Sequence, residues 1–120
     1  MKVMIIDDSR AMRMIITRTL RQAGFEGSVV EAANGAEAFQ MLQSSQPDLV
    51  LCDWNMPVMS GIELLEQITA NNMSVKLGFV TSESSPAIRE RAKEAGAMFL
   101  ISKPFTNEAF EEVLQMVAAA

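Results

Sequence analysis

Polar residues that could do chemistry stand at the ends of apolar runs in this 120-residue chain. Asp7-Asp8 follow Val3-Met4-Ile5-Ile6, and Asp53 follows Leu49-Val50-Leu51-Cys52. Thr81-Ser82 follow a run closing at Val80, and Lys103 comes just after Met98-Phe99-Leu100-Ile101. Three carboxylates crowded together repel, and one or more stays protonated unless a cation neutralises them. An all-oxygen donor set on rigid strand ends suits Mg²⁺, with Mn²⁺ as a substitute, because that ion keeps several waters and leaves a position for a substrate phosphate. Lys103 offers a point charge for a phosphoryl oxygen, Thr81 a hydroxyl, and an Asp carboxylate is a competent nucleophile at phosphorus. These parts suit phosphoryl transfer, where positioning and electrostatics carry most of the catalysis. Each residue alone has a plainer use: Asp7-Asp8 as a helix cap, Thr81 as a turn residue, Lys103 as a solvated loop lysine. Their recurrence at four strand ends favours a site.

The elements that must position these groups follow from the apolar pattern. Leu49–Cys52 is apolar throughout and bounded by Asp48 and Asp53, as expected of a strand buried on both faces of a parallel sheet. Val3–Ile6, Ser28–Ala32, Val75–Val80 and Met98–Ile101 are the other strand candidates. Between them, helices are expected from about Arg10 to Ala23 with Ser9 as cap and Gly24 as stop, from Ala36 to Ser45, and from Ile62 to about Asn71-Asn72. Two more are expected, over Pro86–Ala95 closed by Gly96, and after Thr106 with Phe110, Val113, Leu114 and Val117 on one face. Alternating strands and helices with short crossovers predict a doubly wound α/β fold. In the flavodoxin-like order 2-1-3-4-5, the polar strand ends meet in one cleft.

Composition narrows the function. Ten basic against fifteen acidic residues leave a net charge of −5, which argues against nonspecific nucleic-acid binding. No apolar run approaches the roughly 18–20 residues that span a bilayer, and the N-terminal run is too short for a secretory signal core. A cytoplasmic protein is expected. There is no histidine, so histidine-based triads and zinc sites are excluded, and the single Cys52 excludes a disulfide framework.

The segments I-D-D-S, D-W-N-M-P-V-M-S-G, V-T-S-E and S-K-P-F together resemble the signature of the receiver domain of two-component response regulators. The resemblance runs the length of the chain, 1–120, and is strongest to single-domain chemotaxis-type (CheY-like) regulators, since nothing after the fifth helix leaves room for an output domain. It implies that Asp53 is the phosphoacceptor. Asp8, Asp53 and the backbone carbonyl of Asn55 would hold Mg²⁺, with Asp7 acting through water. Lys103 would contact the phosphoryl group, Thr81 would donate to it after transfer, and Lys103-Pro104 would be a cis peptide. Asn55 and Glu83 lie where family members orient or block the attacking water. Partners implied are a histidine kinase or phosphotransfer protein and a downstream protein target. The target would read the loop after the fourth strand, including Ser82, and the face of the fourth helix, fifth strand and fifth helix. The protein would be a monomer, open to phosphorylation-dependent association, and would catalyse only its own phosphorylation and dephosphorylation.

One position departs from the family pattern: Leu100 stands where a Tyr or Phe usually swings inward as Thr81 moves. A pseudo-receiver that binds partners without phosphorylation is one alternative. An aspartate-nucleophile phosphatase is another, but it needs a carboxylate where Asn55 stands. A flavin domain of the same topology is disfavoured by acids that repel the flavin phosphate. Two expectations concern particular side chains. Trp54 has core packing open to it, though its neighbours suggest partial exposure near the metal. Arg10, Arg13, Arg18 and Arg21 on the first helix are either a solvated face or, as the acid pair beside them favours, a docking face for the phosphodonor.

Overall fold

All five apolar runs form strands, and each is followed by a helix. The computed structural model describes residues 1–119. The elements are β1 (Lys2–Ile6), α1 (Arg10–Gln22), β2 (Ser28–Ala32), α2 (Gly35–Leu42), β3 (Leu49–Cys52), α3 (Gly61–Ala70), β4 (Leu77–Thr81), α4 (Pro86–Ala95), β5 (Leu100–Ser102) and α5 (Asn107–Ala119). The sheet is parallel throughout, in the order β2-β1-β3-β4-β5.

Because strand side chains alternate between faces, one sheet supplies two cores. Val3, Ile5, Leu49, Leu51, Val80 and Ile101 face α1 and α5, packing on Ile16, Leu20, Phe110 and Val113. Met4, Ile6, Val50, Cys52, Leu77 and Phe79 face the opposite layer and pack on Ala38, Leu64, Ile68 and Ala92 of α2, α3 and α4. β3 is buried at every residue, as a central strand covered on both faces must be. The helix starts use local chemistry. Ser9, Asn34, Ser60 and Ser85 accept hydrogen bonds from backbone N–H groups one turn on, and Ser60 with Glu63 completes a capping box. Gly96 ends α4 at φ 101°, a left-handed conformation that costs glycine little.

Three elements differ in their bounds from the apolar pattern. β4 begins at Leu77 and takes in Thr81, and β5 runs Leu100–Ser102, because pairing of Phe79 with Leu100 and Thr81 with Ser102 sets the register. Apolarity reports burial, and Val75, Met98 and Phe99 are half-buried although they lie outside the paired residues of the ladder. α2 stops at Leu42, three residues short of Ser45, where the chain turns through 3₁₀-type bonds from Gln43 and Ser44 to Gln40 and Met41.

Candidate functional site

The carboxyl ends of β1, β3, β4 and β5 bring the predicted residues into one cleft. Asp7 is buried, Asp53 half-buried and Asp8 exposed, and each offers an oxygen within 4.8 Å of the others. Lys103 donates to Asp7 Oδ2 at 3.0 Å and lies 3.5 Å from Asp53 Oδ2. Its own N–H donates to the Thr81 carbonyl at 2.9 Å, which ties the chain after β5 to the end of β4.

Asp7 is held from every side. Its N–H donates to Ala32 O, its Oδ1 accepts from Ser9 N–H at 2.9 Å, and its carbonyl accepts from Arg13 Nη1 at 2.6 Å. Asp7 thus braces the turn into α1 while Ser9 serves as its N-cap. Asp53 is anchored by its N–H to Ile6 O at 2.9 Å, and its Oδ1 accepts from Trp54 N–H at 2.7 Å. Burial pushes the Asp53 carboxyl above the ordinary aspartate value. Lys103 opposes that rise, Asp7 adds to it, and the Trp54 N–H and Thr81 hydroxyl hold it down. The Cys52 thiol, wholly buried beside these charges, is pushed well up and is inert as a nucleophile.

Thr81 is 1% exposed, and its Oγ1 accepts from Glu83 N–H at 3.1 Å. Glu83 and Ser82 stand on the rim, where the Asn55 amide donates to Glu83 Oε1 at 3.1 Å and links the loops after β3 and β4 across the mouth. Pro104 is exposed, and the Lys103-Pro104 bond is cis. Leu100 is half-buried on the α4 side of β5, against the core below α2, α3 and α4. It therefore sits beside the cluster without touching the carboxylates' hydrogen bonds.

The loop from Asn55 to Ser60 is stretched over a tight turn. Met59 N–H donates to the Pro57 carbonyl at 2.8 Å around Val58, which has φ 70° and is 82% exposed. A β-branched residue in that conformation holds about 1–3 kcal/mol of strain, so the loop must be fixed from outside. Gly61 N–H donates to the Trp54 carbonyl, and a side chain at Gly61 would strike the Asp53 carbonyl and the Phe79 ring. At the other side, Gly35 N–H donates to Met59 O at 3.2 Å.

Three residues lie otherwise than the sequence suggests. Trp54 is 7% exposed, its ring 4.8 Å from that of Phe79. The close return of the chain at Gly61 tucks the indole under the loop, so only its main-chain N–H reaches the carboxylates. Arg13 and Arg21 do not form a free face. Arg13 also donates to Glu31 Oε1 at 2.8 Å, while Arg21 donates to the Phe25 and Gly27 carbonyls and stacks over the Phe25 ring. Residue type alone did not reveal Arg13 as part of the site. Its position four residues after the helix cap could have, because helical side chains lean back toward the N-terminus.

The oxygen-only donor set fits a hard divalent cation, and the raised Asp53 carboxyl marks a carboxylate that gains from one. The response regulator receiver domain model matches residues 3–115. The chain is 38% identical over 120 residues to chemotaxis protein CheY1 of Helicobacter pylori, covering 98% of this chain and 96% of that protein. It is 37% identical to chemotaxis protein CheY of Pseudomonas aeruginosa, covering 98% of this chain and 95% of the relative. The solved structure of chemotaxis response regulator CheY4 of Vibrio cholerae aligns with TM-score 0.83 at 34% identity, over 97% of each chain.

Proposed function

Because the chain belongs to the response regulator receiver domain family and is a phosphorelay switch of the CheY-like kind, we propose that Asp53 is its phosphoacceptor in a Mg²⁺-dependent reaction. The observation that carries the reading is the cluster of Asp7, Asp8 and Asp53 oxygens with Lys103 Nζ at 3.0 Å from Asp7 and 3.5 Å from Asp53. Asp8, Asp53 and the Asn55 backbone carbonyl would hold the ion. Asp7, both of whose oxygens already accept hydrogen bonds, would act on it through water. When bound, the ion neutralises the carboxylates and draws charge from the phosphoryl oxygens.

The chain's own residues do the rest. Trp54 N–H fixes the Asp53 carboxylate through Oδ1, which leaves Oδ2 turned toward Lys103. The carboxylate attacks phosphorus on the phosphohistidine of a histidine kinase or phosphotransfer protein. The P–N bond breaks as the O–P bond forms, and the leaving imidazole takes up a proton. Lys103 then holds one phosphoryl oxygen and the Thr81 hydroxyl donates to another. Water attack at phosphorus returns the carboxylate and inorganic phosphate, with Asn55 and Glu83 at the mouth where that water enters. The protein turns over only its own acyl phosphate, and we take residues 1–120 as one receiver unit working as a monomer.

Output follows from what Thr81 pulls. The loop after it is joined to the target face by Arg89, which donates to Ser84 O at 3.3 Å, to Leu100 O at 3.4 Å and to Ser102 Oγ at 2.8 Å. A groove of about 360 Å³ between α4 and β5, lined by Arg89 and Lys93 as well as Ala92, Met98 and Leu100, and a second between β5 and α5 lined by Phe105 and Met116, offer seats for a protein target. Incubation with Mg²⁺ and a small phosphodonor, followed by peptide mass mapping, tests the reading. An adduct on Asp53, lost in Asp53→Asn, is expected. No adduct under any Mg²⁺ concentration would leave a pseudo-receiver.

A further inference from the structure

Arg13 lies one turn into α1, its N–H donating to the carbonyl of the capping Ser9 at 3.0 Å. Its side chain leans back over the β1–α1 turn, as helical side chains do. There Nη1 meets the Asp7 carbonyl at 2.6 Å and Nε meets Glu31 Oε1 at 2.8 Å, with the side chain only 15% exposed. Glu31 stands in β2, its backbone in register with Ile5 and its side chain 48% exposed. The Asp7 carbonyl belongs to the peptide that joins Asp7 to Asp8. A charged donor on that oxygen therefore fixes the plane from which the exposed Asp8 side chain projects.

We propose that Arg13, anchored by Glu31, is a positioning residue for the acidic pair: it sets the reach of Asp8 toward Asp53 and hence the affinity for Mg²⁺. The proposal rests on Asp8 and Asp53 being ligands of that ion. Charge and geometry predict opposite outcomes, which makes it testable. A guanidinium near a cation site repels the cation, so on Coulomb's law alone its removal tightens binding. Loss of an outer partner that orients ligands instead weakens metal binding, typically by about 10–100-fold. Lysine keeps the charge, but one ammonium cannot hold both oxygens in the fixed fork that Arg13 uses.

The test is calorimetric titration of Mg²⁺ into the unphosphorylated chain, with urea midpoints measured on the same proteins. Arg13→Met is expected to raise the Mg²⁺ Kd by about tenfold, and Arg13→Lys to raise it although no charge has changed. A purely structural role would lower the urea midpoint and leave the Kd in place. If Arg13→Met does not fold, Arg13→Lys decides, and an unchanged Kd there overturns the proposal. Equal or tighter binding in Arg13→Met, with binding abolished in Asp8→Asn, overturns the role of Arg13 alone. Wild-type affinity in Asp8→Asn overturns the metal reading itself.

Discussion

Asp53 carries a burden that the fold does not relieve. Its carboxyl is held above the ordinary aspartate value chiefly by burial, with Asp7 adding to the rise, so folding favours the protonated form. A group with a raised folded pKa contributes stability that is complete below its unfolded value, about 3.9 for aspartate, and is lost as pH rises through the folded value. At neutral pH the Asp53 carboxylate therefore lowers stability. Asp53→Asn should have a higher urea midpoint than wild type at pH 7, and the gap should close as pH falls into the range of ordinary carboxyls. A variant less stable than wild type at pH 7 would contradict this electrostatic account. If Asp53 is a ligand as proposed, Mg²⁺ at ten times its Kd should stabilise wild type by roughly 1.4 kcal/mol, and Asp53→Asn by much less. On the proposed function, fold stability is traded for a carboxylate able to take a cation and a phosphoryl group.

Among the elements, α1 shows how one helix divides its charges between structure and surface. Arg13 is half-buried and reaches a backbone carbonyl, Arg21 is exposed yet tied to two backbone carbonyls, and Arg10 and Arg18 are exposed. Beside them Met14 and Ile15 are 56% and 43% exposed, so the outer face of α1 is basic and apolar on a protein that is otherwise acidic. That face begins next to Asp8, where on the proposed function a phosphodonor protein would bring its histidine. Arg18→Glu should slow transfer from such a donor severalfold and weaken its salt dependence, with small-donor phosphorylation unchanged. Equal slowing with both donors would place the damage in the site. The sequence made much of this legible. Short apolar runs ending in Asp, Thr and Lys announced both the strands and the cleft, because a parallel sheet buries its strands and exposes their carboxyl ends. The partners of individual side chains were not legible: which arginine turns inward depends on helix phase against β2, and whether Trp54 is buried depends on the close return at Gly61. The ends of β4 and β5 were misplaced for a related reason, since pairing between them, and no local property, sets where the ladder starts.

For the molecule as a whole, the proposed function requires a site assembled from residues as far apart as Asp7 and Lys103 to change a face built by α4, β5 and α5. Moving a two-state equilibrium from 1:99 to 99:1 requires about 5.5 kcal/mol of differential interaction. Hydrogen bonds to a charged group are worth roughly 1.5–3 kcal/mol each. Thr81 and Lys103 closing on phosphoryl oxygens can therefore supply most of the shift without an aromatic at Leu100. The force would pass along the chain from Thr81 to Ser84 and through Arg89 to β5, so the readout lies in the loop and α4. Amide hydrogen exchange on the whole chain, with Mg²⁺ and with or without a small phosphodonor, tests this most directly. The account predicts changed protection across residues 82–95 and in β5 when wild type is phosphorylated, and none in Asp53→Asn under the same conditions. Changes confined to another face, or the same changes in Asp53→Asn, would contradict it.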